Sequence, residues 1–343
     1  MSTAEITYAQ AIRQALQQEI QRDNSVVLFG LDVDDPLGIV GSTLDLHKEF
    51  GSERVFGTPL SEDAMTGVAV GMAMAGLRPV HVHIRMDFMM LAMNQLVNMA
   101  AKAHYMYGGQ ISVPMVVKGT IGKSWGQGAQ HSQSLYSLFA HIPGLKVVAP
   151  TNPYDAKGCL VSAIRDNNPV IYMEHRLLYS IEGDVPQYLY EVPPGEARVV
   201  RHGTDVTLVG ISYMCSECQK AADVLNDQAG ISCEVIDPVW LSPLDMDTIQ
   251  ESVCKTGHLL VVDNDWTACG IGSEIIARLH EAGISFTSSR MGFRPSPCPP
   301  SPPLEQAFYP SVSGIVREAY RLVTGRNLSV SVSDVHDNFK GPF

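Results

Sequence analysis

The stretch VFGTPLSEDAMTGVAVGMAMAGLRPVHVHI, residues 55–84, decides the fold, because it predicts a strand, a helix and a second strand in succession. The apolar run at 55–57 is typical of a buried strand, and a loop follows it. Ser61 can cap the next helix, whose many small residues allow close packing. RPVHVHI predicts the second strand, and a helix between two strands is typical of a parallel sheet.

The same alternation continues on both sides of this stretch. Strands are predicted at 25–30, 113–120, 145–150 and 169–175, and helices at 5–22, 87–106 and 155–166. Such alternation predicts an α/β protein with open, mostly parallel sheets that carry helices on both faces.

Residues 180–203 interrupt this alternation with EGDVP and EVPPGEARVV, which predicts a domain boundary there. A second α/β series follows, with strands predicted at DVTLVGIS (205–212), CEVIDPV (233–239) and LLVVDND (259–265). The Pro-rich segment 294–305 is expected to be extended or a fixed turn, and a last helix is predicted at 313–323.

Composition excludes several classes of function. The chain has 343 residues, 45% of them apolar, and its net charge of −12 argues against nucleic acid or an anionic membrane as the main partner. Seven scattered cysteines form no disulfide framework, which favours a reducing compartment such as the cytoplasm. Neither a signal peptide nor a transmembrane segment is predicted.

Three residues are candidates for chemistry on local grounds. Glu62 begins a helix just past a strand end, where open α/β sheets bind ligands, although a carboxylate there also simply favours the helix dipole. Phe88 could support a flat ring or belong to the core of a Met-rich helix. His131 lies in the loop WGQGAQHSQS and could move protons near neutral pH, or be merely solvated.

Two further motifs are weak. Cys215 and Cys218 form a single CxxC, which supplies only half of a structural zinc site, and a pair of small residues in a turn is the simpler interpretation. The sequence GIGSE (270–274) lacks the full dinucleotide fingerprint and predicts a tight turn into a helix. No P-loop or HExxH motif is present in the sequence.

Taken together, these segments resemble the β subunits of the decarboxylating component of pyruvate, branched-chain 2-oxoacid and acetoin dehydrogenases. The matching stretches include RVFGTPLSE, MDFMMLAMNQLVNMAAK, AQHSQS, HIPGLKVVAPTNPYDAKG and AIRDNNPVIYMEH, and the resemblance covers residues 5–325. It implies a transketolase-like fold, with a pyrimidine-binding domain over about 1–190, a transketolase C-terminal-type domain over about 200–325 and a polar tail at 326–343.

The resemblance also implies a cofactor and partners. Thiamine diphosphate would lie between this chain and an α subunit, whose GDG motif binds magnesium and the diphosphate. This sequence contains no GDG, so we expect a heterotetramer of two α and two β chains, and no activity from this chain alone. A lipoyl acyltransferase would be a further partner.

By resemblance, Glu62 hydrogen-bonds the pyrimidine nitrogen and so promotes removal of the thiazolium proton, for which it must be partly desolvated. Phe88 would stack on the pyrimidine, Ile84 would line its pocket, and His131 would assist proton movement or reductive acylation of a lipoyl group. In some relatives main-chain carbonyls hold a potassium ion. The corresponding positions here are Met115, Ala163, Asp166 and Asn168.

Departures from the family pattern keep other functions open. Leu31 replaces an acid that, in the family, belongs to a path linking two active sites, and Lys123 and Trp125 alter the loop before His131. A two-chain carboligase or transketolase-like transferase in a biosynthetic pathway is therefore an alternative. A non-catalytic assembly subunit is another, although the presence of Glu62, Phe88 and His131 argues against it.

Overall fold

The computed structural model describes residues 2–123 and 126–328, which divide into two compact units. Unit 1 takes in the chain up to Gly122 together with Leu138–Pro194. Unit 2 takes in the described residues of 123–137 and 195–328. Among the described residues, no helix is both long and apolar enough to cross a membrane.

Unit 1 is built on a parallel sheet. Its strands are β1 (Thr3–Thr7), β2 (Val26–Gly30), β3 (Val55–Gly57), β4 (Arg78–His83), β5 (Val116–Ile121), β6 (Lys146–Val148), β7 (Val170–His175) and β8 (Glu182–Pro186). Six of them run parallel in the order β6-β7-β5-β4-β2-β3, and β1 pairs with β8 in a separate antiparallel ribbon. The helices are α1 (Tyr8–Arg22), α2 (Leu46–Phe50), α3 (Glu62–Met74), α4 (Ala101–Met106), α5 (Tyr136–Ala140, which leads in from unit 2) and α6 (Pro153–Arg165).

Unit 2 repeats this architecture on a smaller scale. Its strands are β9 (Arg198–Arg201), β10 (Val206–Gly210), β11 (Cys233–Asp237), β12 (Trp240–Ser242), β13 (His258–Trp266) and β14 (Thr287–Phe293). The sheet order is β14-β13-β10-β11-β9, and only β9 runs antiparallel. The helices are α7 (Tyr213–Ala229), α8 (Met246–Thr256), α9 (Ile271–Glu281), α10 (Pro302–Phe308) and α11 (Val312–Thr324). The predicted α/β class with mostly parallel sheets is confirmed.

Local departures from the sequence-based prediction have physical causes. The first helix begins at Tyr8 rather than at residue 5, because Thr3–Thr7 pair with β8 and Thr7 closes a capping box with Gln10. In the Pro-rich segment, Pro302 starts the short helix α10 instead of staying extended, since proline is well tolerated in the first turn of a helix.

The predicted helix 87–106 is not a single α-helix. It consists of a 3₁₀ segment (Met86–Ala92), a π segment (Asn94–Ala100) and then α4. Met86, Met89 and Ala92 are all buried, and this spacing of three residues matches the three residues per turn of a 3₁₀-helix. Packing therefore sets the helix type here, although the local sequence favours an α-helix.

A buried ion pair lies inside the unit 1 sheet. Lys118 on β5 and Glu174 on β7 are 1% and 0% exposed, and their charged atoms are 2.5 Å apart. The Tyr179 hydroxyl donates to Glu174 at 2.8 Å and lies 2.9 Å from the Thr120 hydroxyl, while Lys118 donates to Ser42 at 3.3 Å. Either charge would be costly to bury without the other. The pair therefore favours the arrangement of β5 and β7 that brings the two side chains together.

Removing one partner of this pair should destabilise the protein far more than removing both. We expect Lys118→Met alone to cost about 3–5 kcal/mol of unfolding free energy, because Glu174 is left as an uncompensated buried charge. The double variant Lys118→Met/Glu174→Leu should recover most of this loss, as measured by urea denaturation. A double variant as unstable as the single one would contradict the prediction.

Candidate cofactor site

Glu62 is the first residue of α3, one residue after the N-cap position of Ser61. The predicted cap by the Ser61 side chain is wrong, because that side chain makes no capping hydrogen bond. Instead, Glu62 and Asp63 place two carboxylates in the first turn, where the helix dipole favours negative charge. Glu62 is partly buried, and within the described chain no group hydrogen-bonds its carboxylate. It is therefore available to a ligand.

One contact places Glu62 relative to the sheet. Thr66 lies one turn further along α3 than Glu62 and so on the same helix face. The Thr66 hydroxyl is 3.2 Å from Nε2 of His83, the last residue of β4. The Glu62 face of α3 is thus directed to the carboxyl end of β4, the edge where ligands bind in open α/β sheets.

Four aromatic rings on β2, β3 and β4 pack together behind this edge, and the sequence analysis did not identify them. Phe29 on β2 stacks between Phe56 of β3 and His81 of β4, with ring centroids 5.3 and 4.8 Å away. The His83 ring meets His81 edge-on at 4.6 Å. His81 and His83 alternate along β4, a pattern that could have predicted a shared face, whereas Phe29 and Phe56 join them through the register of β2 and β3.

Both histidines are uncharged at neutral pH. Burial lowers the pKa of His81 to about 4 and lowers the pKa of His83 well below its usual range. The rings behind Glu62 are consequently uncharged.

Ile84 and Phe88 follow β4 directly. Both are partly buried, whereas their neighbours Met86 and Met89 are fully buried. The 3₁₀ segment that carries Phe88 packs against α3, the helix that begins with Glu62. The structure therefore brings Ile84, Phe88 and Glu62 onto adjoining elements at one edge of unit 1.

His131 belongs to unit 2, in the loop that the sequence analysis predicted. It is partly buried and follows a short 3₁₀ turn, Gly128–Gln130. Tyr136 and Ser137 attach the end of this loop to β13: the Tyr136 hydroxyl donates to Asp263, and the Ser137 hydroxyl donates to Asp265 at 2.9 Å.

The carbonyls considered for a potassium ion lie in unit 1, and part of their capacity is already used. The Met115 oxygen accepts from the Val170 N–H at 2.9 Å. The Arg78 guanidinium donates to the oxygens of Asp166 and Ile164 at 2.9 and 3.0 Å. The loop after α6 is thus braced by an arginine of this chain.

The structure shows the exposure or the contacts of two positions that depart from the family pattern. Leu31 is partly buried and precedes Asp32, whose φ of +54° is rare for a residue with a side chain. The Lys123 ammonium lies 5.3 and 5.2 Å from the ring centroids of Tyr213 and Tyr309, all within unit 2. Trp125 falls outside the described residues.

The CxxC cysteines lie in α7, not in the turn before it. Cys215 and Cys218 are both 0% exposed, and burial raises the pKa of the Cys218 thiol well above its usual range. Neither thiol is placed for metal binding or exchange, and among the described residues no cluster of His, Cys, Asp or Glu could hold a metal ion. The predicted tight turn at GIGSE is confirmed, with Gly270 as N-cap of α9.

Two family models match the chain: the transketolase pyrimidine binding domain at residues 4–182 and the transketolase C-terminal domain at residues 195–315. A solved structure titled "Split gene transketolase, inactive beta4 tetramer" superposes with a TM-score of 0.77 over 93% of this chain and 99% of that one. Its sequence identity is 22%, so this similarity concerns the fold alone. Fold and site together define a transketolase-like protein.

Curated relatives show which kind of transketolase-like protein this chain is. The β subunit of acetoin:2,6-dichlorophenolindophenol oxidoreductase from Cupriavidus necator is 42% identical over 92% of this chain and 96% of its own length. The mitochondrial pyruvate dehydrogenase E1 component β subunit of Bos taurus is 41% identical over 91% of this chain and 89% of its own. The chain belongs to the β-subunit family of thiamine-diphosphate-dependent 2-oxoacid dehydrogenases, which are oxidoreductases, as the motifs predicted.

The geometry fits half of a thiamine diphosphate site. The unpaired Glu62 carboxylate could meet a pyrimidine nitrogen, and Phe88 exposes part of an aromatic ring on the adjoining element. No GDG sequence is present to bind the diphosphate and its magnesium ion. The described residues at this edge of unit 1 thus fit the pyrimidine end of such a cofactor.

Burial predicts which thiols react. Of the seven cysteines, Cys254 and Cys269 are exposed and the other five are buried. We expect a thiol reagent such as DTNB to label two cysteines quickly in the native chain, and Cys215 and Cys218 only after unfolding. Peptide mapping would identify the labelled residues. Rapid native labelling of Cys215 or Cys218 would contradict the structure.

Asp263 should make stability depend on pH. Burial, and then the neighbouring Asp265, raise the pKa of Asp263 from 3.8 to about 8. Between these values the folded chain holds a proton that the unfolded chain releases, so this residue's contribution to stability decreases as pH rises towards 8, by about 1.4 kcal/mol per pH unit. Asp263→Asn should remove that slope in urea denaturation at pH 5–8. The exposed control Asp227→Asn should retain it.

Proposed function

We propose that this chain, together with an α subunit, decarboxylates a pyruvate-like 2-oxoacid and passes the acyl group to a lipoyl acceptor. The observation that carries the proposal is the unpaired Glu62 carboxylate at the carboxyl edge of β4, on a helix that packs against the segment bearing Phe88. When bound, thiamine diphosphate supplies a carbon nucleophile that adds to the keto carbon and accepts electrons as carbon dioxide leaves.

The residues of this chain have distinct roles in that reaction. Glu62 holds a proton at the pyrimidine nitrogen from its position at the start of α3. Phe88 supports the flat face of the pyrimidine ring and Ile84 closes its apolar side. The neutral His81 and His83 behind them avoid a positive charge that would compete for the Glu62 carboxylate.

His131 acts on the substrate side in this proposal. An imidazole has one nitrogen that can donate a proton and one that can accept, so His131 can deliver or accept a proton during decarboxylation or during acyl transfer to the lipoyl group. Its loop belongs to unit 2, so the proposal assigns catalytic residues to both compact units of the chain.

The α subunit completes the site by binding magnesium and the diphosphate, and two α and two β chains form a heterotetramer. Exposed apolar side chains near the candidate site support a large partner surface. They are Leu60 at 77% exposure, just before Glu62, and Leu91 at 61%, in the segment that bears Phe88. A potassium ion at the carbonyls of Met115, Ala163, Asp166 and Asn168 also belongs to the proposal; there it would share the Asp166 oxygen with Arg78.

Substitution of Glu62 tests this function. In the complex with its α subunit, thiamine diphosphate and magnesium, Glu62→Gln should lower kcat for 2-oxoacid decarboxylation at least about 100-fold, because a catalytic proton donor is lost. Carbon dioxide release with pyruvate and branched-chain 2-oxoacids would be measured. The neighbouring Asp63→Asn is the matched control and should keep near-normal activity, since that side chain is exposed.

Several outcomes would overturn the proposal. Full activity of Glu62→Gln would exclude the assigned role, and full activity of the chain without its α subunit would exclude the shared site. If carbon dioxide is released but the acyl group passes only to an added aldehyde and never to a lipoyl domain, the enzyme is a carboligase.

A further inference from the structure

The two serine hydroxyls beside His131 do not hold its loop. Ser132 and Ser134 flank the histidine and are both 0% exposed, yet neither hydroxyl has a hydrogen-bond partner in the described parts of the chain. Leu135 adopts a φ of +39°, which is unfavourable for a residue with a side chain and persists only where surrounding contacts impose it. The contacts that impose this conformation must come from elsewhere in unit 2.

Tyr136 provides the main contact. It is 0% exposed, and its hydroxyl both donates to the Asp263 carboxyl and accepts the backbone N–H of Asn264 at 3.2 Å. Next to it, Ser137 donates to Asp265 at 2.9 Å, and Asp265 also accepts the Trp266 N–H at 2.8 Å. The carboxyl end of β13 thus holds the end of the loop through two successive residues.

A second, weaker contact holds the loop beside His131. The Tyr309 hydroxyl, from the segment between α10 and α11, donates to the backbone oxygen of Ser132 at 3.4 Å. The Lys123 ammonium lies over the Tyr309 ring, so both ends of the loop meet the same part of unit 2.

The polar character of the Tyr136 contact is informative. A buried hydroxyl and a buried carboxyl are costly to desolvate, and phenylalanine would fill the same space without that cost. Asp263 Oδ2 and both side-chain polar atoms of Asn264 are also buried and have no partner among the described residues. The end of β13 therefore carries several buried polar atoms where apolar side chains would fill the space. Fully buried hydrogen bonds specify one arrangement of the elements they join, whereas apolar contacts tolerate small shifts.

We infer that the Tyr136 hydroxyl and the Asp263 carboxyl form a positioning pair that holds the His131 loop in its working conformation. The pair acts through His131 and does not touch the substrate. This inference rests on the proposed function for the role of His131, but the anchoring itself concerns only unit 2 and can be tested without activity.

Activity tests the pair in the complex with the α subunit, thiamine diphosphate and magnesium. Tyr136→Phe should lower kcat about 10–100-fold, because a small displacement of a catalytic group has an effect of this size. In a His131→Ala background the same substitution should change kcat less than about twofold, since residues that act through one another are not additive. Equal losses in both backgrounds would overturn the inference.

Conservative and matched variants separate positioning from general damage. Asp263→Asn keeps an oxygen that can accept from Tyr136 and should retain most activity, whereas Asp263→Leu should resemble Tyr136→Phe. Tyr320→Phe, on α11 and outside the anchor, should behave as wild type. Equal activity of Asp263→Leu and Asp263→Asn would contradict the inference that the hydrogen bond between Tyr136 and Asp263 positions the loop.

Hydrogen exchange of the full-length chain decides the anchoring even if the proposed reaction is not found. Backbone amides of residues 126–137 should exchange at least about tenfold faster in Tyr136→Phe, while those of residues 259–262 of β13, which pair with β10 and precede the contact, keep wild-type rates. Unchanged exchange in the loop would overturn the inference. Absence of 2-oxoacid decarboxylation by the wild-type complex would instead overturn the proposed function.

Discussion

The parallel arrangement of the unit 1 strands is the constraint on which the candidate site depends. Strands that run parallel end at one edge of the sheet, and each connection must return by a crossover, here often a helix. The start of α3 and the segment after β4 therefore meet at the same edge, although Glu62 and Phe88 are far apart in sequence. An antiparallel hairpin with these segments would place their strand ends at opposite edges.

Buried polar groups add specificity to this framework. Apolar strands of similar length could pair in several registers with similar burial, but Lys118 on β5 and Glu174 on β7 must lie together. Tyr136 and Asp263 impose a comparable requirement in unit 2, where they join a loop to the end of a strand. In both places burial of the polar groups has a desolvation cost. Their hydrogen bonds in turn favour one arrangement of the joined elements over arrangements that differ by a small shift.

Much of the fold was predictable because the strands are short apolar runs and the helices have strong periodicity. The exceptions lie where tertiary contacts outweigh local preference. Residues 3–7 become a strand because β8 is available to pair with them, and the segment from Met86 to Ala92 becomes a 3₁₀-helix in which Met86, Met89 and Ala92 are all buried. For Glu62 and Phe88, local pattern favoured the simpler interpretations, and only the order of motifs along the whole chain indicated a cofactor site.

The sequence by itself determined the fold class, the family and the identity of the candidate residues, because these depend on residue type and on order along the chain. Tertiary structure alone decided that the Glu62 carboxylate has no hydrogen-bond partner among the described residues, that the CxxC thiols are buried in α7, and that the His131 loop belongs with unit 2. Each of these depends on contacts between residues distant in sequence. Local pattern does not encode such contacts, whereas packing imposes them.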